Sequence, residues 1–275
     1  MKKPLLWINI SLCVAAAVSV AESLDQDCFY SKPDDIDNPE ECLFYSVVFD
    51  AGSTGTRAGV FQFGYRRSTS PVVDNNTPKN GTGDFALSIL DESTHKVKPG
   101  IDTYDDNLSG IIDYLQPLIS YVEDNVPEQY HPYTPYAFRA TAGMRVLQFS
   151  TVRATLREVS DALKNIDFGK PNAVEPVDVM TGLSEGAYGW ITVNQLLGRL
   201  AYAYRETEDS SPLSAAVLDL GGASLQLAYL PLQRIDPYSS MYNKYFSRPI
   251  SVSGRNITLY SHSTDKNCCF IFDDT

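Results

Sequence analysis

The sequence predicts an α/β fold built as two related halves that face each other across a cleft. Three observations carry that expectation. Apolar runs of strand length alternate with stretches of helical periodicity, the order that lays helices over a sheet. One local design occurs twice. Val47-Val48-Phe49-Asp50-Ala51-Gly52-Ser53 and Val217-Leu218-Asp219-Leu220-Gly221-Gly222-Ala223-Ser224 each read as apolar strand, Asp, glycine turn, hydroxyl and returning strand. Finally, 275 residues with 43% hydrophobic and 20% charged content suffice for about two domains with real cores.

Residues 1–21 are a segment of another kind. Lys2 and Lys3 precede an apolar run from Leu5 to Ala21 that only Asn9, Ser11 and Ser19 interrupt. Ser19-Val20-Ala21 supplies the small residues of a cleavage site before Glu22. A cleaved signal peptide is expected; the same run is just long enough for an uncleaved anchor, the one reading in which the chain meets a membrane. Either way the remainder lies in the secretory pathway, in the ER or Golgi lumen or secreted. Without Cys13 four cysteines remain, Cys28, Cys42, Cys268 and Cys269, which allow three connectivities in an oxidising lumen. A Cys28–Cys42 pair would close a short loop, whereas a bond between adjacent Cys268 and Cys269 would be strained. Asn75, Asn80, Asn107 and Asn256 each open an Asn-X-Ser/Thr sequon and mark expected glycosylated surface.

The elements follow in order. Residues 22–45, acidic, containing Pro33 and Pro39 and without a period, read as a leader. Ser46–Phe49 is a predicted buried strand ending at Asp50; 50–57 is a tight turn and Ala58–Phe63 the returning strand. Residues 66–83 are polar and rich in Gly, Pro and Asn, as an exposed loop would be. A helix is predicted from Asn107 with Ile111, Leu115, Leu118, Ile119 and Val122 on one face, then a strand over Tyr136–Thr141. Ser150 is the expected cap of a second helix bearing Val152, Leu156, Val159, Leu163 and Ile166. A strand over Val174–Met180 leads into a helix from Ser184 to Leu200. Strands over Ser214–Asp219 and Ser224–Leu230 flank the turn at 221–223. The halves are drawn at 46–179 and 180–263, with 264–275 as an atypical tail.

Charge narrows the chemistry. Lys and Arg number 22 against 34 Asp and Glu, a net charge of −12 and a pI near 4.6. That excludes a nucleic-acid binder that neutralises phosphates with clustered cations. A phosphorylated small molecule remains open, because backbone amides and a divalent cation can hold one. A glycine turn exposes amides that converge on phosphate oxygens, and Ser or Thr hydroxyls add donors. An Asp at the strand end repels phosphate but can hold a cation through water. The bland alternative is that each turn uses Asp and Gly only for conformation. No zinc spacing and no G-x-x-x-x-G-K-[ST] motif occurs.

Four segments then become specific: VVFDAGSTGTRAGVFQF (47–63), AFRATAGMRVL (137–147), VMTGLSEGAYGWITVNQLLG (179–198) and AVLDLGGASLQLAY (216–229). In order and spacing they resemble the first four conserved regions of the apyrases, the ectonucleoside triphosphate diphosphohydrolase family. Val97-Lys98-Pro99-Gly100 and Tyr260-Ser261-His262-Ser263 are similar to the family too. The Gly-Ser-Thr-Gly-Thr-Arg turn (52–57) is more like the ER/Golgi nucleoside diphosphatases than the cell-surface apyrases. The resemblance implies a two-lobed actin-like (ribonuclease H-like) architecture. It implies cation-dependent hydrolysis of the terminal phosphate of nucleoside diphosphates, with triphosphates such as ATP as further substrates, and Ca²⁺ or Mg²⁺ as the cation.

By the same resemblance Asp50 and Asp219 orient the water shell of the cation. Gly52, Ser53, Thr54, Gly55, Thr56 and Arg57, with Asp219, Gly221, Gly222, Ala223 and Ser224, surround the phosphates. Glu185 is the general base, while Thr141 and Gln226 place the attacking water; Arg145 is a further cation near phosphate. The plain alternatives are a strand-end cap for Thr141, a salt bridge for Arg145, an edge-strand polar residue for Gln226 and a favourable first-turn acid for Glu185. Ser184 is the expected cap of that helix, and the dipole at its N-terminus is expected to keep the Glu185 carboxylate ionised at neutral pH.

Two departures bear on activity. Leu225 stands where the family usually has Thr, which is expected to perturb the cradle. The family also continues well beyond Ser263, so the second lobe is expected to be incomplete, with Leu225, Leu227 and Tyr229 uncovered and the chain alone nearly inactive. The rival reading is therefore a non-catalytic nucleotide- or partner-binding secreted glycoprotein; a phosphotransferase of the same architecture is the third.

Overall fold

The computed structural model describes residues 41–67, 85–168, 177–197, 199, 214–231, 246–252 and 255–265. Residues 1–40, which hold the expected signal and most of the expected leader, residues 68–84 with Asn75 and Asn80, residues 174–176 of an expected strand, and everything beyond Asp265 lie outside the described residues. So do Cys28, Cys268, Cys269 and the side chain of Cys42.

β1 (Glu41–Gly52) and β2 (Gly55–Arg67) form an antiparallel hairpin, closing with Gly52 opposite Gly55. β3 (Phe85–Val97) pairs antiparallel with β2. On the other side of β1 lie β4 (Tyr136–Ala140) and β5 (Val177–Val179), both parallel, giving the order β3-β2-β1-β4-β5. Parallel neighbours need crossovers. α1 (Ile111–Asn125), one-turn α2 (Ala142–Arg145) and α3 (Phe149–Leu163) provide them. The core follows from period-two strands meeting period-3.6 helices. Val47, Phe49 and Ala51 of β1 and Phe138 of β4 pack against Ile111, Leu115, Leu118, Val122, Val159 and Leu163. On the opposite face of the hairpin Phe44 stacks on Phe63 with centroids 5.1 Å apart.

After β5, α4 (Gly182–Leu196) leads to a second sheet of β6 (Val217–Leu220), β7 (Ser224–Tyr229), β8 (Ser247–Val252) and β9 (Arg255–Asp265), antiparallel in the order β6-β7-β9-β8. Fully buried Trp190 anchors α4 among Ala187, Ile191, Ala228 and Leu259. Small residues let the helix come close: a Cβ at Gly182 would overlap the Ser263 side chain, and one at Gly186 would lie 2.8 Å from Ser261 Oγ. No described helix is long and apolar enough to cross a membrane.

Several boundaries differ from expectation. β1 begins at Glu41, inside the expected leader, and β2 runs to Arg67, into the expected loop, because each completes the other's hydrogen bonds. Ser150 does not cap α3, which starts at Phe149 after extended Gln148 without a side-chain cap. Ser184 does not cap α4. Thr181 does, its Oγ1 accepting from the Ser184 amide at 3.2 Å, and the helix ends at Leu196. β3, β8 and β9 were not anticipated. Edge strand β3 carries Asp91, Glu92, His95 and Lys96 and is held by its ladder to β2, not by an apolar pattern of its own. On the sheet face away from α4, Leu225, Leu227 and Tyr229 are half-buried; the uncovered residues there are Leu218 and Leu220, 66% and 72% exposed.

Candidate functional site

The β1–β2 hairpin closes through Ser53 and Thr54. Gly55, at φ +149°, takes a conformation that L side chains rarely adopt, and a Cβ there would overlap the Val97 carbonyl. Ser53 is half-buried and Thr54 exposed, its Oγ1 accepting from Lys96 Nζ at 3.2 Å. Thr56 departs from its expected role in the cradle. It is fully buried, its amide donates to the Tyr114 hydroxyl at 3.1 Å, and its Oγ1 lies 3.0 Å from the same hydroxyl, so it ties the turn to α1. Asp50 sits across the ladder from Arg57. Burial pushes its carboxyl up to about 6, against the pull of Arg57 and Lys96, and Asp219 pushes the same way.

The second turn is built alike. Gly221 N–H donates to the Ser224 carbonyl at 2.9 Å, leaving Gly221 and Gly222 exposed and Ala223 half-buried between β6 and β7. A Cβ on Gly222 would stand 2.8 Å from Ser53 Oγ and 3.0 Å from Thr54 Cγ2, so the turns of the two sheets touch. Half-buried Asp219 lies opposite Gln226, and burial raises its carboxyl as well. Burial thus raises both carboxyls, and Asp219 adds to the cost of ionising Asp50, beside a cradle of hydroxyls and glycine amides. The carboxylate oxygens of the two Asp residues suit a hard divalent cation held through its waters, and the amides and hydroxyls suit phosphate oxygens.

Glu185, one turn into α4, is 4% exposed. Its Oε2 accepts from Arg145 Nη1 at 3.0 Å and from Gln226 Nε2 at 3.1 Å. Burial raises it to about 7, opposed by the charge and hydrogen bond of Arg145 and reinforced by Asp219 and Asp50. The dipole at the helix N-terminus therefore does not keep this carboxylate in the ordinary range, because desolvation outweighs it. Gln226, 1% exposed, also donates from Nε2 toward Ser224 Oγ at 2.7 Å and Ser263 Oγ at 3.1 Å, while its Oε1 has no hydrogen-bond partner among the described residues. Arg145 Nη1 further donates to the Met180 carbonyl at 2.8 Å, which ties α2 to the entry of α4.

Thr141, buried, precedes α2 without capping it; its amide donates to the Ala51 carbonyl at 3.1 Å, beside Asp50. Leu225 lies on the sheet face opposite buried Ser224 and Gln226, so its side chain does not enter the cradle as expected. Sequence reasoning missed Lys96, two positions before Lys98-Pro99-Gly100, and the contact of Ser263 with Gln226; only the strand ladders bring these residues to the site.

A profile of the GDA1/CD39 (nucleoside phosphatase) family matches residues 37–264. The chain belongs to that family. Among GDA1/CD39 relatives, it is 33% identical over 250 residues to a guanosine-diphosphatase of Schizosaccharomyces pombe, covering 90% of this chain and 40% of the relative. It is 37% identical over 192 residues to a nucleoside-triphosphatase of Pisum sativum, covering 69% and 37%. The chain thus spans less than half the length of these curated relatives. A crystal structure of nucleoside triphosphate hydrolases from Neospora caninum has the same fold, with a TM-score of 0.54 at 17% identity over 94% of this chain and 49% of that one. The α/β, actin-like class expected from the sequence is the class found.

Proposed function

We propose that this chain carries the site of a nucleotidase that hydrolyses the terminal phosphate of nucleoside diphosphates, and of triphosphates, with water. The observation that carries the reading is Glu185 beside Gln226, where the two glycine turns meet. Catalysis here is positioning plus charge stabilisation. Amides and hydroxyls of Gly52, Ser53, Thr54, Gly55, Gly221, Gly222, Ala223 and Ser224 would hold the phosphate oxygens, with Arg57 at the rim. Gln226 Oε1 and Thr141 Oγ1 would orient the attacking water, and the Glu185 carboxylate takes its proton. The water oxygen bonds to the terminal phosphorus as the bridging P–O bond breaks, and the nucleotide leaves one phosphate shorter. Asp50 and Asp219 would hold Ca²⁺ or Mg²⁺ through its waters, and the cation would neutralise phosphate charge.

The two sheets support lobes drawn at 46–179 and 180–263, with the cleft between them. The N-terminal segment and the sequons support passage through the secretory pathway, to the ER or Golgi lumen or the exterior. Of the sequons, Asn107 and Asn256 are exposed. The deciding experiment measures phosphate release from GDP and GTP by the full chain, with Mg²⁺ or Ca²⁺ and with chelator. Cation-dependent release that Glu185→Gln abolishes, with nucleotide binding retained, is the expected result. Nucleotide binding without release in the unaltered chain would favour the non-catalytic alternative.

A further inference from the structure

Three cations gather at the first turn. Arg57 of β2 and Lys96 of β3 stand directly opposite each other in the antiparallel ladder, and Lys98 follows at the end of β3. Asp50 of β1 continues the same row on the far side of Arg57. Like charges directly opposite each other destabilise a sheet. The cost is visible at Lys96, whose ammonium is lowered first by burial and then by Arg57 and Lys98, with Asp50 opposing. Packing does not demand a lysine there, because the residue is exposed on an edge strand. Its side chain folds back over Gly55, where a Cβ would lie 2.7 Å from Lys96 Cε, and its Nζ reaches Thr54 Oγ1 at 3.2 Å. The ammonium thus stands at the lip of the turn, next to the hydroxyl of Thr54 and 42 residues away from it in sequence.

We infer that Lys96 is a phosphate-binding residue, which together with Thr54 holds an anionic oxygen of the substrate's phosphate chain at the solvent side of the first turn. This rests on the nucleotidase reading above. An anion there would meet the Lys96 ammonium and the exposed Thr54 hydroxyl together, at the lip of the turn. A lysine serves as a point charge that follows a mobile phosphate oxygen, so it contributes to binding in ground and transition states alike. Its loss therefore appears in KM and in affinity, while kcat stays nearly unchanged.

The test is calorimetric titration of the full chain with Mg²⁺ and the non-hydrolysable α,β-methylene analogue of GDP, at low and at moderate salt. Lys96→Met is expected to weaken binding about tenfold or more, as removal of a charged hydrogen-bond donor does. Lys96→Arg should bind nearly as the unaltered chain does, and the salt dependence of affinity should be shallower in Lys96→Met. Equal affinity of Lys96→Met and the unaltered chain at low salt would overturn this inference alone. Failure of the unaltered chain to bind the analogue would instead overturn the nucleotidase reading on which it rests.

Discussion

Arg145 Nη1 stands 3.0 Å from Glu185 Oε2, joining the short helix that follows β4 to the helix packed on the second sheet. Both side chains are nearly buried, 12% and 5% exposed, so the pair is strong only while both partners remain. Arg145→Met should strand a buried carboxylate. Urea denaturation at about pH 9, where Glu185 is forced to ionise, should reveal a loss of about 3–5 kcal/mol. At about pH 5 the carboxyl takes a proton and the loss should shrink to a fraction of that. Equal losses at the two pH values would mean that the pair carries no charge coupling.

Glu185 also makes stability depend on pH in metal-free protein. Its carboxyl is raised from 4.5 to about 7, so below 4.5 both the folded and unfolded states are protonated. Between 4.5 and about 7 the folded state keeps a proton that the unfolded chain has released, and stability falls as pH rises. Above about 7 both states are ionised and the decline ends. Glu185→Gln should flatten this part of the curve, read from melting temperatures measured with chelator present. An unchanged slope would assign it to other groups.

Gly55→Ala tests the turn itself. The added Cβ meets the Val97 carbonyl and the backbone must hold φ +149°. A destabilisation of about 1–3 kcal/mol is expected, read as a lower denaturant midpoint at constant slope. Wild-type stability would show that the turn relaxes freely.

Gly222→Ala probes the meeting of the two turns. Its Cβ would press on Ser53 Oγ at 2.8 Å, and since Gly222 is exposed the fold should lose no more than about 0.5 kcal/mol. Affinity for the GDP analogue should nonetheless drop about tenfold, because the cradle on both sides shifts. Normal affinity would show that the contact of the turns is irrelevant to binding.

Much of this was legible because it is local. An apolar run, an Asp and a glycine turn define a hairpin from within a few residues, and both copies, Asp50–Ser53 and Asp219–Ser224, form as read. The helical faces of α1 and α3 were equally readable, since the period of Ile111, Leu115, Leu118 and Val122 is printed in the chain. Helix starts were not. Thr181 and Ser184 are both good caps by type, and which one serves is decided by where the chain leaves β5.

By itself the sequence determined the fold class, the family motifs and the two turns, all properties of neighbouring residues and their order. Tertiary structure alone decided which chemistry those residues can carry. It buried Thr56 against Tyr114, taking it out of the cradle, and turned Leu225 to the sheet face away from Gln226. It set Lys96 beside Thr54 across a ladder, and it set Arg145 against Glu185 from another element. The physical reason is one of range. Propensity and periodicity act within a turn or a strand, whereas desolvation and charge act through space between segments far apart in the chain. The raised carboxyl of Glu185 exists only once α4 has closed over β7 and β9 and removed its water.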